Sequence, residues 1–150
     1  KQRKIYFLDP LIARLPQLVQ GQPSVDITRL SEQQLGVALL QWNERVRPGA
    51  IRSGSWVTHY RGETGEVDFA GVCPDSLVRA TPVESKYVSE SWRRGALGIR
   101  NSALASGVLA TRDVLEVAGD EPVWAVPASF VAFALSCYRS PRSAGSKAEL

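Results

Sequence analysis

Methionine is absent from this chain of 150 residues, histidine occurs once and cysteine twice. Each shortage closes off a class of function. No Ser/His/Asp arrangement or zinc-ligand spacing can be built around His59, the single histidine, and a surface position or a backbone hydrogen bond is its ordinary use. Cys73 and Cys137 lie far apart without a pairing pattern, so a reduced, cytoplasmic setting is expected rather than a disulfide framework. No apolar run approaches the roughly 20 residues that cross a bilayer, and "VWAVPASFVAFALSC" is interrupted by Pro127, so no membrane partner is expected. No charged segment followed by an apolar one opens the chain. No G-x-x-x-x-G-K-[ST] stretch occurs, so nucleotide binding is not expected within these residues. A strong charge of one sign is missing too: the net charge is +3 and the pI about 9.1, which tolerates nucleic acid as a partner without demanding it.

What is present is material for one globular domain, since 44% of the residues are hydrophobic and 22% charged. The opening "KQRKIYFLDP" has the look of text from the middle of a longer protein, and an N-terminal neighbour is expected. Along the chain, "KIYFL" at 4–8 suits a short strand or extended entry, and "DPLIARLPQLV" a short helix capped by Asp9 with Pro10 in its first position. Leu35, Ala38, Leu39, Trp42 and Val46 recur at helical spacing and predict a helix over 31–46, with Thr28 and Ser31 as candidate caps. Residues 56–88 predict a three-stranded antiparallel meander: two strands in "SWVTHYRGETGEVDFAGV", joined at "RGETG", and a third over 81–88. "SESWRRGALGIRNSALAS" predicts a helix weakened by Gly95 and Gly98. "GVLAT" and "PVWAVP" are buried-strand runs, and "ASFVAFALSC" is a closing helix. The domain is expected over 1–136, with 137–150 too poor in apolar residues to be held down. No internal repeat is seen.

Two of these strands carry charge where a sheet prefers Val and Ile. In "EVDFAGV" alternation puts Glu66 and Asp68 on one face and Val67 and Phe69 on the other, and in "VESKYV" Glu84 and Lys86 oppose Val83 and Ser85. A connection centred on Ser76 sets Asp68 directly across from Glu84, with Lys86 beside them. Opposed carboxylates repel, so such a pair takes up a proton or needs a cation. Lys86 supplies one charge and Mg²⁺ or Mn²⁺ suits oxygen donors of this kind. Read without further information, a solvated face with cross-strand ion pairs is the commoner meaning of this pattern. A shift of one residue in register would separate the two carboxylates.

The segments "KIYFLDPLIARL", "SEQQLGVALLQW", "YRGETGEVDFAG", "VESKYV" and "VWAVPASF" together resemble, in order, the C-terminal domain of uncharacterised function that follows the ATPase module in bacterial and archaeal AAA-type ATPases. The resemblance spans nearly the whole chain up to the tail, and "GEVDF" with "ESK" is its most specific part. It implies an α/β, restriction-endonuclease-like fold of the PD-(D/E)xK superfamily: a central mixed β-sheet containing the antiparallel meander and flanked by helices. It also implies Asp68 and Glu84 as metal ligands, Lys86 as a catalytic residue that orients water, Glu32 as an accessory catalytic carboxylate and an N-terminal AAA module as partner. Ser85 departs from the aliphatic residue common between Glu and Lys. Two functions stay open: cleavage of DNA or RNA with a divalent metal, or a non-catalytic regulatory or binding role for the attached ATPase. Arg61, Arg93 and Arg94, with Arg100, are candidates for a phosphate-contacting rim, although a solvated helix face is the commoner role for any one of them.

Overall fold

Asp26 starts the longest helix by accepting the backbone N–H of Thr28 at 2.9 Å on its Oδ1. This side-chain cap satisfies one of the amides that a helix leaves unpaired at its first turn. In this computed structural model the described residues are 9, 12, 14–21, 26–46, 48–49, 58–62, 65–70, 81–102, 106–117 and 123–138. The expected strand at 4–8, the "CPDSLVR" connection, Cys73, Trp56 and the segment from 139 onward lie outside them.

The elements in order are α1 (Leu15–Gln20), α2 (Ile27–Val46), β1 (Thr58–Arg61), β2 (Glu66–Ala70), β3 (Val83–Ser85), α3 (Trp92–Gly95), α4 (Leu97–Arg100), β4 (Gly107–Thr111), β5 (Glu116–Val117), β6 (Val123–Pro127) and α5 (Ala128–Cys137). The strands form one mixed sheet in the order β1-β2-β3-β4-β6-β5. β1, β2 and β3 pair antiparallel, as the meander predicts, β4 runs parallel to both β3 and β6, and β5 closes the far edge antiparallel to β6.

Each face of the sheet carries its own core. On one, Leu35 and Leu39 of α2 pack with Phe69, Val83 and Ala110, joined by Val131 and Leu135 of α5. On the other, Trp92, Ala96 and Ile99 from the α3–α4 region pack with Val67, Leu109, Val123 and Ala125. The molecule is therefore mixed α/β with a mixed sheet flanked by helices. Arg45, near the end of α2, donates through its guanidinium to the carbonyls of Leu135 (2.7 Å) and Ser136 (2.5 Å). The C-terminal ends of α2 and α5 thus meet, and the two helices run side by side in the same direction. Among the described residues no helix is long and apolar enough to cross a membrane.

Several expectations are corrected. The first α-helix covers Leu15–Gln20, with Pro16 in its first turn, while Asp9 opens a 3₁₀ turn by accepting the Ile12 N–H at 3.1 Å on its carbonyl, and Ile12 and Arg14 are 3₁₀. A helix begun at Asp9 would hold that proline in its interior, where its ring clashes with a carbonyl and its missing N–H breaks the ladder. Gly21, at φ 62°, ends α1 in the left-handed conformation that suits glycine. α2 starts at Ile27, four residues ahead of the expected start, because Asp26 rather than Thr28 or Ser31 is the cap. The third strand covers only Val83–Ser85. The helix expected over 89–106 is two short ones, α3 and α4. At Gly98 a Cβ would stand 2.5 Å from the carbonyl oxygen of Glu66, so the backbone of α4 lies directly on the β1–β2 hairpin. β5 was not expected, since two residues are too short to show alternation.

Candidate metal centre

The register of β2 on β3 decides whether the two carboxylates meet. Phe69 pairs with Val83, which sets Asp68 against Glu84, the pairing that a connection centred on Ser76 requires. Alternation along β2, by contrast, fails. Between Thr58↔Ala70 and Tyr60↔Val67 the chain advances two residues on β1 and three on β2, so β2 holds one extra residue at Asp68–Phe69. Such a bulge inverts the faces beyond it. Val67 accordingly enters the core under α3 and α4 while Phe69 enters the core under α2, and the two do not share a face as alternation predicts.

At this point of the sheet the carboxylates themselves bridge the strands. The Asp68 backbone N–H donates to Glu84 Oε2 at 2.9 Å, and the Ser85 backbone N–H donates to Asp68 Oδ2 at 2.9 Å. The Lys86 ammonium lies 2.8 Å from Glu84 Oε1. Asp68 and Glu84 are 6% and 3% exposed, which argues against the solvated-face meaning of the pattern. The Lys86 side chain is 45% exposed, so the site is open on the lysine side.

Burial pushes the Glu84 carboxyl above its ordinary value of 4.5, and the neighbouring Asp68 charge pushes the same way. The Lys86 hydrogen bond and charge and the Asp68 N–H pull it back without restoring it. A buried carboxylate pair with one ammonium is thus short of positive charge, and hard oxygen donors suit Mg²⁺ or Mn²⁺. Among the described residues, however, no three His, Cys, Asp or Glu side chains group as a ligand set. A metal held here would draw on two carboxylates, with the remaining positions going to water or substrate oxygens, as is common for Mg²⁺.

Glu32 is half-buried in α2, between the buried Ser31 and Gln33, on the helix that covers the face opposite Glu84 and Lys86. Ser85 turns toward that same face, and its hydroxyl is buried with no hydrogen-bond partner among the described residues. Arg61 ends β1 at one edge of the sheet, paired in register with Glu66. Arg93 is drawn by Glu116 (3.2 Å) toward β5 at the other edge, so these two arginines flank the sheet rather than share one rim. Arg94 is exposed on α3. His59 is half-buried and bonds the Glu66 carboxylate at 2.7 Å, a side-chain partner in place of the expected backbone one.

No family model matches the chain, and neither a curated protein nor a solved structure does. Two features of the site were not anticipated. One is the pair of backbone N–H groups that hold the carboxylates, which no side-chain pattern announces. The other is Gly95, whose absent side chain leaves room for the Lys86 stem; the only signal for it was a glycine inside a helical pattern.

Proposed function

We propose that this chain is a PD-(D/E)xK-type domain that hydrolyses phosphodiester bonds of nucleic acid with Mg²⁺ or Mn²⁺, as the C-terminal part of an AAA-type ATPase. The observation that carries the reading is the buried pair Asp68 and Glu84, facing each other across β2 and β3 with the Lys86 ammonium 2.8 Å from Glu84. The restriction-endonuclease-like fold, the cytoplasmic setting and the ATPase partner are parts of this same proposal.

Asp68 and Glu84 would hold the cation, which when bound lowers the pKa of a water and polarises the phosphoryl group. The chain's own residues do the rest. The amides of Asp68 and Ser85 hold the two carboxylates facing each other across β2 and β3. Lys86 orients the attacking water or offsets charge developing on the phosphoryl oxygens. The accessory role expected of Glu32 is not part of this proposal, because α2 covers the face opposite Glu84 and Lys86. Arg61, Arg93 and Arg94 are proposed phosphate contacts.

One observation favours the non-catalytic alternative, a regulatory or binding module. Both oxygens of Glu84 already have partners, Lys86 on Oε1 and the Asp68 amide on Oε2, so a cation has to share or displace them.

Calorimetric titration with Mn²⁺, together with cleavage of single- and double-stranded DNA and RNA, separates the two. The enzyme reading expects binding and cleavage in the wild type, loss of both in Asp68→Ala, and loss of cleavage with retained binding in Lys86→Ala. Absence of Mn²⁺ binding at millimolar concentration, or cleavage that survives both substitutions, sinks it.

A further inference from the structure

We propose that Gly95 is a positioning residue for Lys86, kept without a side chain so that the lysine stem can pass beneath α3 and deliver its ammonium to Glu84. Gly95 is the last residue of α3, where glycine carries little of its interior helix penalty, so the space around it is what distinguishes the position. Backbone conformation does not: Gly21 and Gly49 have positive φ among the described glycines, and Gly95 does not.

A Cβ at position 95 would stand 3.1 Å from Lys86 Cγ, 3.5 Å from Lys86 Cβ and 3.5 Å from Leu109 Cδ2. The two contacts at 3.5 Å are ordinary van der Waals distances, so the lysine stem at Cγ is the one neighbour that has to give. α3 cannot lift away. Trp92, 3% exposed, anchors it in the core, and its indole N–H donates to Glu116 Oε2 at 3.0 Å. Arg93 binds the same carboxylate at 3.2 Å, with its guanidinium 4.7 Å above the indole ring. Glu116 of β5 thus ties down the start of α3, and Gly95 leaves a lane beside the lysine stem, which is open to solvent on its other side. A lysine forfeits rotamer freedom when its head group is pinned, and a lane that already restricts the stem reduces that loss.

The importance of this lane for cleavage rests on the proposed function, but the placement of the ammonium is testable without activity. The lysines are Lys1, Lys4, Lys86 and Lys147, so acetylation of Lys86 by an N-hydroxysuccinimide ester can be followed peptide by peptide in a mass spectrometer. An ammonium held on a buried carboxylate reacts slowly. Relative to wild type, Gly95→Ala is expected to acetylate Lys86 about threefold faster and Gly95→Val about tenfold faster, approaching Glu84→Gln. The melting temperature of Gly95→Ala should hold, since alanine favours the helix, so faster reaction there does not report unfolding.

Wild-type rates in both Gly95 variants overturn the proposal. So does a wild-type rate in Glu84→Gln, because then no ion pair restrains the ammonium. Acceleration in Gly95→Ala that comes only with a lowered melting temperature also counts against it. If Gly95→Val does not fold, Gly95→Ala decides alone. A wild-type chain that binds no Mn²⁺ overturns the metal reading and leaves these rates unchanged, so the two failures are distinguishable.

Discussion

Asp68 and Glu84 each accept a backbone N–H through the side chain, at 2.9 Å in both cases: Glu84 from Asp68, and Asp68 from Ser85. The carboxylates thus take the place of ladder acceptors at the point where β2 and β3 meet. The bonds that hold the strands together and the charges that repel each other belong to the same two side chains.

Stability and cation binding should therefore part company at this site. Asp68→Asn keeps an oxygen for the Ser85 N–H but removes the repulsion on Glu84, and its expected stability equals or exceeds wild type by up to about 1 kcal/mol. Asp68→Ala leaves the buried amide without that acceptor and is expected to cost about 1–3 kcal/mol. Urea unfolding measures both, and Mn²⁺ binding is expected to be lost in each.

The raised Glu84 carboxyl gives a pH dependence of definite sign. The folded state takes up this proton at a higher pH than the unfolded chain, whose value is near 4.5. From this group alone, stability is greatest below the unfolded value and is lost as pH rises through the folded one. Cation binding runs the other way and weakens as pH falls through the raised value. Urea midpoints of wild type and Glu84→Gln across pH 4–8, a window on the order of the carboxylate and imidazole ranges, should show that slope in the wild type and its absence in the variant.

Gly98 meets the carbonyl of Glu66 where a Cβ would have 2.5 Å. The obstacle is backbone, which cannot rotate aside. Gly98→Ala is expected to destabilise by about 1–3 kcal/mol despite alanine's better helix propensity, the opposite of the unchanged stability expected for Gly95→Ala. Thermal melts of the two variants side by side test the contrast.

Arg45 reaches two carbonyls at the end of α5, which a helix otherwise leaves unpaired. Arg45→Ala is expected to cost about 1 kcal/mol, given its exposure, and to raise amide exchange in the last turn of α5. Arg45→Lys should recover less than the full loss, because an ammonium lacks the fork that meets both oxygens. Unchanged exchange in either variant would contradict this.

Much of the architecture was legible because the decisive signals were local and periodic. Leu35 and Leu39 recur at helical spacing, and "ASFVAFALSC" became α5 over the residues expected. The Asp68–Glu84 pairing could be read by symmetry about a turn, since antiparallel register is arithmetic. The parallel placement of β4 beside β3 and β6 was not legible, because crossover connections leave no local trace. Nor was the separation of Val67 from Phe69. Two-residue alternation describes a regular strand, and a bulge is an exception that neither composition nor spacing in β2 signals. The links from Glu116 to Trp92 and from Gly95 to Lys86 join residues far apart in sequence, and only packing reveals them.

The extra residue in β2 divides that strand into two phases. Up to Val67 it is in step with the hairpin and the layer beneath α3 and α4; from Phe69 it is in step with the layer beneath α2. Asp68 stands at the phase boundary, the one position that owes its side chain to neither layer. Deleting Asp68 would make Val67 and Phe69 neighbours in a regular strand, which leaves each in its own layer and removes only the carboxylate. β3 carries Glu84 in unbroken register, whereas β2 carries Asp68 at an interruption one residue long.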